Sequence, residues 1–329
     1  MDVLLLIEAG GGFGLGHLMR SSVLADAVRA RGGRPTMALR LGDRALPAWA
    51  VPTSERIELD GADIARACAQ AEALAHARRP DWVVVDGYGM LGAGLVARLR
   101  VHGLRVLAFD DLGTEGGGAD LVVNQNFAHT DQSTAGRLLG PAFALVAPAY
   151  AAYRSRPVAD RVRRILVTFG GSDLHGLTQR VFGAFAAVPG KLTLDVVIGP
   201  SHRTRDVAPA GAHELVTHDQ PHGLAELLGR ADVVISAAGS TCWQACCAGV
   251  PLIAIQTVDN QRELVACLAQ NGCALTFERA AFCDLLERGG LATVLNSLAG
   301  PDVRATMMAA QRRLVDGKGA ERIIAAMGV

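Results

Sequence analysis

Short apolar runs alternate with segments of helical periodicity along most of this chain. A continuous apolar run of four to eight residues is typical of a strand covered on both faces, as in a parallel sheet whose connecting helices pack on both sides. Strands that alternate with helices of ordinary length predict doubly wound parallel sheets, so the fold class is α/β. The clearest runs are VLLLIEA, WVVVD, RRILVTF, DVVIS and PLIAIQ.

The alternation breaks once, near the middle of the chain. Residues 147–164 read APAYAAYRSRPVADRVRR, with two prolines and a cluster of arginines. A chain of 329 residues holds about two domains of roughly 150 residues each. We therefore predict two Rossmann-like domains, residues 1–150 and 151–329. Ligands of such sheets bind beyond the carboxyl ends of the strands, which predicts one shared cleft between two facing sheets.

Composition excludes several classes of protein. Half of the residues are hydrophobic, 19% are charged, and the formal net charge is zero. No basic stripe interleaved with aromatic residues suggests nucleic-acid binding. No segment approaches the roughly 20 apolar residues of a membrane span, and the apolar start is too short for a signal peptide, so we expect a cytoplasmic protein. The seven cysteines lack the spacing of a zinc site and are predicted to be small buried residues, with no metal bound.

The most distinctive loop follows the first strand and reads Gly10-Gly11-Gly12-Phe13-Gly14-Leu15-Gly16-His17. Its glycines allow the backbone to approach a ligand closely, and the helix that follows favours an anion. A dinucleotide fingerprint requires an acidic residue at the end of the second strand about 20 residues on, and the region RPTMALRLGD fits this poorly. His17 at the helix start is expected to be neutral and able to accept a proton from water or a hydroxyl. A capping or packing histidine is the alternative.

Three loops of the second half are candidate binding sites for phosphate or other polar groups. Each follows a predicted strand and starts a helix, where backbone N–H groups favour an anion. In each loop, plain helix capping is the alternative. The three loops are Gly170-Gly171-Ser172-Asp173, Ala237-Ala238-Gly239-Ser240-Thr241 with Gln244 one turn further on, and Asp259-Asn260-Gln261.

Six stretches, in order from about residue 3 to residue 274, carry a resemblance to one enzyme family. The stretches are GLGHLMRSSVLADAVRARG, WVVVDGYG, AFDDLGTEGGGADLVVNQN, RRILVTFGGSDLHGLT, ADVVISAAGSTCWQACCAGVPLIAI and DNQRELVACLAQNGCA. They resemble the UDP-2,4-diacetamido-2,4,6-trideoxy-β-L-altropyranose hydrolases of pseudaminic acid biosynthesis, which are similar to GT-B glycosyltransferases of the MurG type.

The resemblance implies a GT-B fold, with the sugar and the catalytic group on the N-terminal domain and the nucleotide on the C-terminal one. It also implies hydrolysis at the anomeric carbon of a UDP-linked amino-deoxy sugar, without metal or cofactor, for surface-glycan biosynthesis. His17 matches the histidine that activates water. The residues implied at the sugar are Gly14, Gly16, Tyr88, Asn260 and Gln261; those implied at the nucleotide and its phosphates are Gly170, Gly171, Ser172, Gly239, Ser240, Thr241 and Gln244.

The chain departs from the family pattern at four places. Gly87 stands where the family has the histidine of DHYG, and Gln244 where it has a ribose-binding glutamate. Ala147 replaces an arginine, and Glu8-Ala9-Gly10 replaces an Arg-Ala-Asp segment. Gln244 is neutral, so it binds a hydroxyl more weakly than a carboxylate does. Loss of the arginine removes a positive charge near the sugar or phosphate.

The expected mechanism is one-step attack of a water that His17 deprotonates, which inverts the anomeric centre. The partner is a UDP-sugar, not a nucleic acid, and the expected state is a monomer or weak dimer. Transfer to an acceptor hydroxyl is the main alternative, because water and an alcohol require the same base. A nucleotide-sugar binding protein without catalysis is a third possibility.

Overall fold

The computed structural model describes residues 1–42, 46, 55–113, 116, 118–127, 136–171, 173–200, 202, 211–221 and 223–328. The chain divides into two compact units. Met1–Val146 and Lys318–Val329 form unit 1, and Ala147–Gly317 forms unit 2. Within the described ranges, no helix combines the length and the apolar character needed to cross a bilayer.

Unit 1 is built on a seven-stranded sheet in which every neighbouring pair is parallel, in the order β3-β2-β1-β4-β5-β6-β7. β1 therefore lies in the interior, as its uninterrupted apolar run predicts. The strands are β1 Asp2–Ala9, β2 Arg34–Leu41, β3 Glu55–Leu59, β4 Trp82–Asp86, β5 Val106–Phe109, β6 Leu121–Asn124 and β7 Arg137–Leu139.

Helices cover both faces of this sheet. The first four are α1 Gly16–Ala30, α2 Ile64–Arg78, α3 Tyr88–Gly92 and α4 Leu95–Val101. Successive strand residues point to opposite faces, so β1 contributes Val3, Leu5 and Ile7 to the core beside α1. Its residues Leu4 and Leu6 belong to the core beside α2, α3 and α4.

Unit 2 repeats the plan with a six-stranded parallel sheet in the order β10-β9-β8-β11-β12-β13. Its strands are β8 Arg164–Thr168, β9 Thr193–Ile198, β10 Glu214–Asp219, β11 Val233–Ala237, β12 Leu252–Gln256 and β13 Leu275–Glu278. Its helices are α5 Pro148–Ala151, α6 Leu177–Phe185, α7 Ala225–Arg230, α8 Ser240–Ala248, α9 Arg262–Gln270, α10 Arg279–Glu287, α11 Leu291–Ser297 and α12 Pro301–Leu314.

The last helix, α13 Gly319–Ala326, returns to unit 1. Ile323 and Ile324 are fully buried in the core beside α1, and Trp82 donates a hydrogen bond from Nε1 to the Met327 carbonyl at 3.0 Å. The predicted boundary at residues 147–164 puts this segment in the second domain, residues 151–329. Periodicity identifies a helix and its apolar side but not the surface that this side covers.

Element boundaries depart from the expectations in a few places. The helical pattern of Leu91–Val101 predicts a single helix, whereas α3 and α4 are separated at Gly94, which has a φ of +70°. The short strands β7 and β13 were not predicted. The weak apolar run Pro35–Ala38 predicts a short strand, whereas β2 is longer and includes Thr36 and Arg40, which interrupt the apolar pattern yet are buried.

The described cysteines match their predicted role. All seven are free, and six are buried; Cys283 is partly exposed. Burial raises the pKa of the Cys242 thiol to about 12, so it stays protonated and packs as a small apolar group.

Candidate active site

The carboxyl ends of β4, β5 and β6 carry polar residues that lie side by side because these strands are neighbours in the sheet. Asp86 ends β4, Asp110 and Asp111 follow β5, and Asn124 ends β6. Their side chains are at most 6% exposed. Buried polar groups require partners, and for Asp86 and Asp111 the partners include Arg20 of α1.

The glycine-rich loop closes at the same edge of the sheet, between β1 and α1. Gly10 donates a hydrogen bond to the Gly14 carbonyl at 2.8 Å, and both residues have φ near +75°, which L side chains rarely adopt. Gly16 begins α1. Leu15, the N-cap residue, makes no side-chain hydrogen bond to the first turn of this helix. The uncapped N–H groups suit an anion or a polar oxygen.

His17 contacts a buried carboxylate in the first turn of α1. Its Nδ1 lies 2.6 Å from Asp86 Oδ1, and Asp86 is fully buried. Burial by itself would raise the pKa of Asp86, but the charge of Arg20 and hydrogen bonds from Arg20 and His17 lower it well below its usual range. An ionised carboxylate only accepts hydrogen bonds, so Nδ1 carries the proton and Nε2 is the nitrogen that can act as a base.

Arg20 lies one turn further along α1 and links two carboxylates. Its Nε and Nη2 donate to Asp86 at 2.9 and 2.6 Å, and its Nη1 donates to both oxygens of Asp111 at 2.9 Å. Burial disfavours the charged guanidinium, but Asp111 and Asp86 raise the pKa of Arg20 well above its ordinary value. Ser21 completes the shell by donating to Asp86 Oδ2 at 2.8 Å. This network fixes the orientation of Asp86 and thereby of His17.

Tyr88 begins α3 directly after β4 and lies next to His17. The ring centroids are 4.9 Å apart with an interplanar angle of 85°, an edge-to-face contact. The Tyr88 hydroxyl donates to Asp111 Oδ2 at 3.0 Å, and Asn126 donates to Asp111 Oδ1 at 3.1 Å. The structure thus brings together three of the predicted residues of unit 1, Gly16, His17 and Tyr88.

Sequence reasoning missed the residues that hold His17 in place. Asp86 and Asp111 were recognised only as the ends of strands, and Arg20 only as part of a helix. The available signal was the pair of carboxylates at the ends of WVVVD and AFDD, combined with an arginine three residues after His17 on one helix face. The strand order that makes the two carboxylates neighbours cannot be read from the spacing.

In unit 2, the predicted nucleotide turn starts α8. Gly239 is the N-cap residue of this helix, and Ser240 and Thr241 lie in its first turn. Gly239 has no side chain that could cap the helix. Gln244 lies one turn further on, and its Oε1 is buried without a hydrogen-bond partner in the part of the chain that the structure describes. A buried acceptor left unpaired is costly, so this atom is suited to a donor from a ligand.

The predicted phosphate loop after β8 is partly described. Gly170 has a φ of +75°, and its carbonyl is in contact with His202 Nε2 at 3.1 Å. Asp173 caps α6 by accepting hydrogen bonds from the N–H groups of Leu177 and Thr178, which is the capping alternative for this residue. Ser172 lies outside the described residues.

The third loop of unit 2 forms a short 3₁₀ helix, Asp259–Gln261. Asn260 is exposed on it. Gln261 uses its Oε1 within its own turn, accepting from the Thr257 N–H at 2.7 Å and from the Thr257 hydroxyl at 3.1 Å. The side-chain oxygen of Gln261, a predicted sugar-site residue, thus stabilises the loop itself. The described residues contain no cluster of three or more His, Cys, Asp or Glu side chains arranged to hold a metal ion.

No protein-family model matches this chain. Among curated proteins, the spore coat polysaccharide biosynthesis protein SpsG of Bacillus subtilis is 28% identical over 195 residues, which cover 56% of this chain and 56% of SpsG. An uncharacterized protein of Methanocaldococcus jannaschii is 21% identical over 284 residues, 80% of this chain and 57% of that protein. The chain thus spans little more than half the length of each of these relatives.

Solved structures match over the whole chain. MurG of Acinetobacter baumannii gives a TM-score of 0.71 at 16% identity, covering 100% of this chain and 99% of MurG. The spinosyn rhamnosyltransferase SpnG complexed with thymidine diphosphate gives 0.66 at 17% identity, covering 99% and 100%. The UDP-GlcNAc 2-epimerase of Neisseria meningitidis bound to UDP-GlcNAc gives 0.65 at 9% identity, covering 99% of each chain.

These matches confirm the predicted fold class, two Rossmann-like parallel-sheet domains of the GT-B type. The shared cleft between the domains stays a prediction.

Proposed function

We propose that this protein is a metal-independent nucleotide-sugar hydrolase that cleaves the anomeric C–O bond of a UDP-linked amino-deoxy sugar and inverts that centre. The observation that carries the proposal is the His17–Asp86 pair beside an uncapped helix N-terminus and a glycine-rich loop. This arrangement supplies a general base next to a site suited to polar oxygens.

In this reaction His17 is the general base. Asp86 holds the proton of Nδ1, so Nε2 can accept a proton from a water molecule as that water attacks the anomeric carbon. The buried carboxylate then stabilises the imidazolium that forms. Tyr88, 4.9 Å from the imidazole ring, is placed to contact the sugar on which this water acts.

In this proposal unit 2 binds the nucleotide. The backbone N–H groups at the start of α8, together with the hydroxyls of Ser240 and Thr241, bind the diphosphate and stabilise negative charge as UDP leaves. Gln244 Oε1, buried and unpaired within the described chain, accepts a hydrogen bond from a sugar hydroxyl of the nucleotide. Gly170 and Gly171 approach the phosphates through their backbone, and Asn260 and Gln261 contact the sugar; Ser172, outside the described residues, stays a prediction from the sequence.

The similarity to known proteins supports the nucleotide-sugar part of this proposal. A transferase complexed with thymidine diphosphate and an epimerase bound to UDP-GlcNAc share the fold. The relative SpsG is named for spore coat polysaccharide biosynthesis. The hydrolytic step itself rests on the resemblance to the pseudaminic acid hydrolases and on the His17 geometry.

Nucleotide release in the absence of any acceptor tests the proposal. The purified protein is incubated with UDP-linked amino-deoxy sugars, and free UDP and the anomer of the released sugar are followed by ¹H NMR. A first binding screen with UDP, CMP, GDP and TDP identifies the nucleotide, because a ligand at 100 times its Kd stabilises the fold by about 2.7 kcal/mol. We expect UDP to stabilise the protein most and the first-formed sugar to have the inverted configuration. Retention, or no UDP release from any donor, would refute the hydrolase proposal.

Transfer to an acceptor hydroxyl is the second candidate, and the fold shared with MurG and SpnG favours it. In that reaction His17 deprotonates an acceptor alcohol instead of water. UDP release that strictly requires an added acceptor would identify a transferase. Release at the same rate without an acceptor identifies the hydrolase.

A further inference from the structure

Two positions at which the chain departs from the family pattern, Glu8 and Gly87, are in contact. An ideal Cβ placed on Gly87 would lie 2.5 Å from Glu8 Cγ and 2.6 Å from its Oε2. The φ of Gly87 is 175°, an extended conformation open to any residue. Gly87 therefore fits this place because the Glu8 side chain occupies the adjoining space.

The sheet register explains the contact. Ile7 pairs with Asp86 across β1 and β4, so Glu8 lies next to the residue that follows Asp86. Ile7 belongs to the core beside α1, so the next residue, Glu8, points to the opposite face, where α3 lies. Asp86 thus meets His17 on one face of the sheet, and Glu8 lies beneath the Tyr88 turn on the other.

The Glu8 carboxylate is 1% exposed and has two partners. Oε1 accepts from Arg40 Nη1 at 2.7 Å, and Oε2 accepts from the Gly89 N–H at 2.8 Å. A Cβ on Gly89 would lie 2.5 Å from Oε1, so the glycines on both sides of Tyr88 make room for this carboxylate.

Arg40 extends the same contact to the glycine-rich loop. It is the register partner of Glu8 on β2, and its guanidinium carbon lies 4.9 Å from the centroid of the Phe13 ring, a cation–π distance. The Glu8–Arg40 ion pair thus contacts the Tyr88 turn through Glu8 and the loop that precedes His17 through Arg40.

We propose that Glu8 and Arg40 are positioning residues that hold the Tyr88 turn and the glycine-rich loop in fixed relation on the two sides of His17. Neither residue needs to touch the substrate. The proposal deepens the proposed function and rests on it for its catalytic consequence, whereas the structural consequence can be measured without any activity.

The first test follows Tyr88 directly. The chain has three tyrosines, so labelling with 3-fluorotyrosine gives three ¹⁹F resonances, and Tyr88→Phe assigns one of them. We expect Glu8→Gln to shift the Tyr88 resonance and to leave those of Tyr150 and Tyr153 in place. Glu55→Gln is the matched control, because it neutralises another ion-paired carboxylate of unit 1, that of Glu55 with Arg78. An unmoved Tyr88 resonance in Glu8→Gln would overturn the proposal.

The second test is a double-mutant cycle on urea unfolding. Gly87→Ala should lower the urea midpoint in the wild-type background, because its Cβ collides with Glu8, and should have little effect in the Glu8→Ala background, where the space is free. Equal losses in both backgrounds would also overturn the proposal.

The third test links position to turnover. Glu8→Gln should lower kcat/KM for the donor by up to about 100-fold, the loss that a displacement of a reacting group by about 1 Å can cause. Its affinity for UDP, which the proposal assigns to unit 2, should not change. A wild-type protein without donor turnover refutes the proposed function but leaves the ¹⁹F and unfolding results to decide the positioning role. Wild-type turnover with full activity of Glu8→Gln refutes the positioning role alone.

Discussion

His17 Nδ1 lies 2.6 Å from Asp86 Oδ1, and the carboxylate is fully buried. The two residues are 69 positions apart in the chain and meet because α1 packs beside β4. The contact assigns the proton to Nδ1 and leaves Nε2 available as a base, so the proposed chemistry depends on it.

Replacing His17 tests the base. His17→Ala should lower kcat by about 10²–10⁴, the usual contribution of a general base, and should leave UDP affinity unchanged. His76→Ala, which removes an exposed histidine of the same unit, is the control for kcat and for UDP binding measured by calorimetry. Undiminished turnover of His17→Ala would remove the assigned role.

Asp86→Asn tests the electrostatics of the network through stability. The variant removes one of the two carboxylates that are ion-paired with the buried Arg20. Removing one partner of a buried ion pair should lower the free energy of unfolding by about 3–5 kcal/mol near neutral pH. Because the pKa of Asp86 is lowered by folding, its ionisation stabilises the protein above the unfolded pKa of about 3.9. This contribution is lost as the pH falls through the folded pKa.

Urea unfolding of wild type and Asp86→Asn between pH 2.5 and 6 measures this dependence. The gap between the two proteins should be largest near pH 6 and should narrow below about pH 4. Asp26→Asn, at an exposed ion pair with Arg29, should follow the wild type throughout. A gap that stays constant over the whole range would show that the Asp86 charge does not contribute.

Tyr88→Phe tests the proposed sugar contact. Loss of one neutral hydrogen bond, about 1 kcal/mol, should raise KM for the donor roughly fivefold. Asp111 keeps Arg20 and Asn126 as partners, so the fold should tolerate the change. Tyr150→Phe removes a hydroxyl that accepts a hydrogen bond from the Leu224 N–H in unit 2, and its KM should match wild type. Steady-state kinetics with both variants decide whether the Tyr88 hydroxyl contributes to donor binding.

Gln244→Ala tests the unpaired acceptor of α8. If Oε1 accepts a hydrogen bond from a nucleotide hydroxyl, the variant should bind UDP about fivefold more weakly, because it loses one neutral hydrogen bond of about 1 kcal/mol. Gln270→Ala, at an exposed position in α9, is the control in the same calorimetric titration. Equal UDP affinity of Gln244→Ala and wild type would exclude this contact.

Ile323→Ala tests the return of the C-terminal helix to unit 1. Ile323 is fully buried in the core beside α1, and its truncation should cost about 2–5 kcal/mol of unfolding free energy. Glu321→Ala, exposed on the same helix, should have little effect. Urea unfolding followed by tryptophan fluorescence, to which Trp82 of the same core contributes, measures both variants. A loss as small as that of Glu321→Ala would contradict the observed packing.

The sequence by itself determined the local architecture. The apolar runs of β1, β4, β8, β11 and β12 predicted strands of parallel sheets, and the glycine-rich loop identified the segment that carries His17. These features were predictable because burial on both faces, helical periodicity and left-handed glycine turns depend on residues close together in the chain.

Tertiary structure decided which distant residues meet. The order of β1, β4 and β5 in the sheet brings Asp86 and Asp111 to Arg20, and the register of β1 places Glu8 beneath Gly87. Packing of α13 on α1 assigned the end of the chain to unit 1. Neither local propensity nor spacing encodes these contacts. Strand order and register depend on how the apolar faces of all the strands and helices are buried together.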